Sequence, residues 1–67
     1  MKAIINKLEK QLKSLRDLVQ AREDKVDGMS TSWQESEKCE EYMDKTQDIE
    51  EQADELDALI YNLKELL

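Results

Sequence analysis

Sixty-seven residues carry 10 Lys+Arg against 17 Asp+Glu, a formal charge of −7, with 40% of the chain charged and 39% apolar. One Gly, no Pro, no His and no Phe exclude glycine-built phosphate loops, histidine acid/base chemistry and histidine metal ligands, and with them most enzyme classes. A chain this short is one domain at most and buries only ~60% of its unfolded surface. Its single Cys forbids an internal disulfide framework, so self-association or a partner is the remaining reinforcement.

The first element is a helix over about residues 2 to 27. Ile5, Leu8, Leu12, Leu15, Val19 and, past Arg22, Val26 alternate at spacings of three and four, the a/d stripe of a heptad repeat. Ile4 and Leu18 sit one position before an a residue, at g, and widen the stripe to the face a bundle helix needs. Next comes the only break in the chain, a turn at about 28 to 31. Gly28 can supply a left-handed C′ conformation, and Ser32 with Glu35 reads as an S-x-x-E capping box.

The second helix is expected over about residues 32 to 66. Cys39, Tyr42, Thr46, Ile49, Ala53, Leu56, Ile60, Leu63 and Leu67 alternate in the same way, out of register with the first stripe. One continuous helix would turn its apolar face away from itself. The expected fold is therefore all-α, an antiparallel two-helix hairpin forming a single domain. Folding it about residues 30 and 31 pairs Val19 with Tyr42, Leu15 with Thr46, Leu12 with Ile49, Leu8 with Ala53 and Ile5 with Leu56. Trp33 then caps the apex over Val26 and Met29.

Charge supports antiparallel closure. Residues 1 to 27 hold seven basic and five acidic side chains, net +2, and residues 28 to 67 hold three basic and twelve acidic, net −9. In this register everything beyond about Tyr61 lacks a partner in the first helix, leaving a C-terminal leucine overhang. With the g residues Ile4, Leu18, Leu59 and Leu66 uncovered as well, a second copy is the simplest cover, giving a dimer in the form of a four-helix bundle or coiled-coil assembly.

The side chains expected to carry self-association or a partner are Ile4, Leu18, Leu59, Ile60, Leu63, Leu66 and Leu67. A second surface is the acidic face of Glu40, Glu41, Asp44, Asp48, Glu51 and Glu55; together with Glu37 and Asp54 it sets one charge per ~3.4 Å of helix axis, the axial charge density of one DNA strand. No constellation supports catalysis, a metal, a cofactor or a small-molecule substrate. Cys39 lacks a base to activate it, and Arg22 is expected to face it. Net charge −7 argues against direct nucleic-acid binding. No apolar run approaches the ~20 residues of a membrane span, and the N-terminal residues lack a secretion signal, so a soluble, cytoplasmic protein is expected.

The segment Ser32-Trp33-Gln34-Glu35-Ser36-Glu37-Lys38, with Glu41-Tyr42 and the acidic helix after it, resembles small acidic helical-hairpin proteins of bacteria and their phages. That resemblance implies a fold and a bacterial or phage source, and no activity. In length and layout alone the chain is also similar to the small RNA-binding hairpin of plasmids, an acidic dimeric bundle. From the residues themselves, the expected function is a non-enzymatic, self-associating interaction or regulatory module. The alternative is an acidic nucleic-acid mimic that inhibits a DNA- or RNA-binding protein.

Overall fold

The periodic stripes produce two long helices lying side by side. In the computed structural model, which describes residues 1–67, the elements are α1 (Lys2–Asp27), α2 (Thr31–Gln34) and α3 (Glu37–Glu65). No strand is present, and the molecule is a rod of 51 × 15 × 10 Å. Helices α1 and α3 run antiparallel: Glu9 meets Lys64, Arg16 meets Asp57, and Arg22 meets Thr46.

The connection differs from the expected turn. Gly28 ends α1 at φ −87° and ψ −4°, in the right-handed region, so no left-handed cap forms. Its N–H reaches the carbonyls of Asp24 and Lys25, both at 3.2 Å. Ser32 and Glu35 form no capping box either. Ser30 and Ser36, both with extended backbone, are the caps: Ser30 Oγ accepts from the Trp33 N–H and Ser36 Oγ from the Cys39 N–H. A cap at Ser36 places Glu37 and Glu40 in the first turn of α3, where carboxylates meet the positive end of the helix dipole. A helix begun at Ser32 would have one carboxylate there, Glu35, rather than two; the second long helix starts five residues later than expected.

Inserting α2 into the link shifts the register by one heptad. Thr46, expected opposite Leu15, instead accepts a hydrogen bond from Arg22 Nε at 2.8 Å, seven residues further along α1. Heptads continued from this contact put Leu15 level with Ala53, Leu8 with Ile60 and Ile5 with Leu63. The C-terminal overhang therefore does not exist. Lys64 Nζ lies 3.4 Å from Glu9 Oε1, and Leu67 shares a surface hollow with Lys2, Ile5 and Asn6.

The seam is asymmetric. Along α3 the a residues Cys39, Thr46, Ala53 and Ile60 are buried, whereas the d residues Tyr42, Ile49, Leu56 and Leu63 are half-buried. On α1, Ile5 and Val19 are buried and Leu8, Leu12 and Leu15 half-buried. Two helices alone close one side of a three-wide apolar face and leave the other partly wet.

Candidate functional site

Near the apex the seam turns polar. Thr46 is 2% exposed, and its hydroxyl donates to the Tyr42 carbonyl at 2.9 Å while accepting from Arg22 Nε. Arg22 Nη2 also donates to the Tyr42 carbonyl at 3.2 Å, and the guanidinium lies 3.9 Å from the centroid of the Tyr42 ring. Trp33 meets Tyr42 edge-on, with centroids 5.9 Å apart. Every buried side-chain polar atom is satisfied, the condition under which such a layer is tolerated. Arg22 is thus committed to Thr46 and Tyr42, and the expectation that it faces Cys39 is corrected. Gln34 ties the apex down: its Nε2 donates to the carbonyls of Val26 at 2.9 Å and Met29 at 3.1 Å, capping the free end of α1.

In a heptad pair the e and g positions flank the seam on opposite sides, and antiparallel helices bring e to e and g to g. The e flank is ionic. Arg16 bridges Asp54 and Asp57, both at 3.4 Å, and Lys64 meets Glu9 at 3.4 Å. Towards the apex this flank becomes an acidic hollow lined by Glu23, Asp44, Glu50, Glu51 and Asp54 around Met43. Such exposed pairs orient the helices and contribute ~1 kcal/mol or less each.

The g flank is of another kind. From the open end it carries Ile4, Gln11 and Leu18 on α1 and Leu66, Leu59 and Gln52 on α3, with no ionisable group among them. Ile4 is 57%, Leu18 45%, Leu59 49% and Leu66 74% exposed. Lysines occupy g only nearer the apex, at Lys25, Lys38 and Lys45. Of the seven side chains expected to offer a partner surface, these four share one flank and Leu67 is exposed at its open end. Ile60 does not belong with them: it is 3% exposed, because the one-heptad shift places it in the seam. Leu63 is half-buried for the same reason.

Glu40, Glu41, Asp44, Asp48, Glu51 and Glu55 are all exposed, and none engages in an ion pair or a side-chain hydrogen bond. Cys39 is a buried free thiol. No group of acidic or thiol side chains is arranged to hold a metal ion, and no helix is long and apolar enough to cross a membrane.

Sequence reasoning missed Ser36 and Gln34. The Ser36 signal was legible as a serine followed by Glu37 and Glu40. Gln34 left none, because its two acceptors come together only through the fold. In comparisons with known proteins, no family model, no curated protein and no solved structure matches the chain.

Proposed function

We propose that this chain is a non-enzymatic, self-associating helical hairpin serving as a protein-interaction or regulatory module that docks through its g flank. Ile4, Leu18, Leu59 and Leu66 would carry the contact, with Leu63 and Leu67 at its edge. The observation supporting this reading is the group of exposed aliphatic side chains Ile4, Leu18, Leu59 and Leu66 on the part of the g flank free of ionisable groups, opposite an ionic flank on the same two helices. Contiguous exposed apolar surface rimmed by polar residues marks interaction sites. A cytoplasmic setting agrees with the free thiol at Cys39.

The test is the double variant Leu59→Asp with Leu66→Asp in sedimentation equilibrium, alongside the parent chain under reducing conditions. The parent is expected to associate at micromolar concentration. The variant should sediment as a monomer of 7.9 kDa, with its helical circular dichroism retained. A parent that stays monomeric, or a variant with undiminished assembly, would sink the proposal.

A second reading, acidic mimicry of nucleic acid, draws on the unpaired state of Glu40, Glu41, Asp44, Asp48, Glu51 and Glu55. Here the partner is a basic groove on a DNA- or RNA-binding protein. Binding would compete with nucleic acid and weaken at least tenfold between ~0.05 and ~0.3 M salt, because screening shortens from ~14 Å to ~6 Å over that range. Binding indifferent to salt would remove it.

A further inference from the structure

Two hairpins can meet through their g flanks in two ways. With the two-fold axis along the rods, both apices lie at one end and each α1 stacks on the other copy's α3. With the axis across the rods, the apices point apart, α1 stacks on α1 and α3 on α3.

Three observations separate the two. Helix charge is the first. Residues 1 to 27 carry net +2 and residues 28 to 67 net −9, so the axial arrangement alternates basic and acidic helices around the bundle. The transverse one sets acidic helix directly against acidic helix, which like-charge repulsion opposes.

The second is the position of the apolar patch. Ile4, Leu59 and Leu66 occupy the open half of the rod with Leu18 just past its middle, and Lys25, Lys38 and Lys45 follow on the same flank towards the apex. The axial arrangement superposes the two patches in full; it also sets the exposed Lys25, Lys38 and Lys45 of one copy beside those of the other, a repulsion of ~1 kcal/mol or less per exposed pair. A transverse arrangement with complete overlap would cover leucines with lysines. Overlapping only the open halves would restore the leucine contact, but it sets α3 against α3 and shortens the interface.

The third is scale. The four exposed g side chains leave on the order of 400 Å² of apolar area per copy. A standard interface buries ~800 Å² per partner, so that patch with its polar rim along the full rod is what a stable dimer requires.

We infer that the partner of the g flank is a second copy of this chain in the same direction, apex beside apex, with each α1 packed on the other copy's α3. This inference rests on the self-association proposed above and adds its orientation. One pair of labelled chains tests it, each with Cys39→Ala to remove the native thiol. One carries Ser32→Cys at the apex and the other Asn62→Cys near the open end, for spin labelling and pulsed dipolar distance measurement.

With helix axes 8–10 Å apart across the interface, both labels should give intermolecular distances below about 30 Å. An apex distance of about 50 Å or more, near or beyond the 51 Å length of the rod, would overturn the orientation while leaving self-association standing. A dimer mass with no short distance at either site would overturn it too. Absence of any dipolar signal, with monomeric mass in the parent chain, would overturn both. If Cys39→Ala lowers helicity, the same two labels on a Cys39→Ser background give the same readout.

Discussion

The e and g flanks run along the same two helices, one heptad position to either side of the seam, yet away from the apex they hold opposite kinds of side chain. On the e flank, Glu9, Arg16, Asp57 and Lys64 satisfy one another within the hairpin. On the g flank, Ile4, Leu18, Leu59 and Leu66 are left 45–74% exposed by the hairpin. Ion pairs close locally and are cheap to leave in water, whereas exposed leucine gains only by losing water to another surface. One flank therefore orients the hairpin on itself, and the other is directed outwards.

The sharpest way to separate the two sides of the seam is a pair of neighbours on α3. Ile60→Ala removes a buried side chain and should cost about 3 kcal/mol of hairpin stability in denaturant titration. Leu59→Ala, one residue earlier, should change the stability of the single hairpin by under about 0.5 kcal/mol and weaken assembly instead. Equal losses from both would mean that the flank is part of the hairpin's own core.

A smaller effect is expected on the ionic side. Arg16→Glu sets a carboxylate against Asp54 and Asp57, which are 60–65% exposed at the side chain. The loss should be about 1 kcal/mol or less and should shrink in ~1 M salt, with the oligomer mass unchanged. A salt-insensitive loss would assign Arg16 a packing role rather than an electrostatic one.

Smallest is Gly28→Ala, which touches neither flank. A β-carbon at Gly28 would lie 3.6 Å from the Lys25 carbonyl oxygen, an ordinary contact, and the backbone is right-handed. The exchange should raise stability by about 0.4–1 kcal/mol, because the unfolded chain loses freedom. Assembly should not change. A destabilised variant would restore the glycine to a left-handed cap.

The two stripes were fully legible as helix faces. Each predicted seam position from Ile5 to Val26 and from Cys39 to Leu63 is buried or half-buried. What the pattern does not contain is its own offset: a repeat of seven matches a second repeat of seven equally well one heptad away. The offset is chosen by the link, where Ser30 and Ser36 out-compete Ser32 as caps and a four-residue helix takes up chain. From that single local difference followed the overhang, the exposure expected of Ile60 and the partner assigned to Arg22. Ile4, Leu18, Leu59 and Leu66 kept their expected exposure because g stays outside the seam in either register.

The Arg22, Thr46 and Tyr42 layer therefore has a consequence for conformational error. Leucine against leucine rewards both offsets alike, so a hairpin with a purely aliphatic seam would be free to settle seven residues out of place. At the wrong offset the guanidinium would sit beside Cys39 and Thr46 would face Leu15: the hydroxyl would keep its bond to the Tyr42 carbonyl within α3, but the Arg22 contact with Thr46 would be lost. Losing that hydrogen bond costs ~0.5–1.5 kcal/mol, which amounts to a roughly two- to twelvefold bias against the slipped form. The layer is a checksum on the alignment of the two helices: it adds little to the attraction between them, and it reports when they are joined one repeat out.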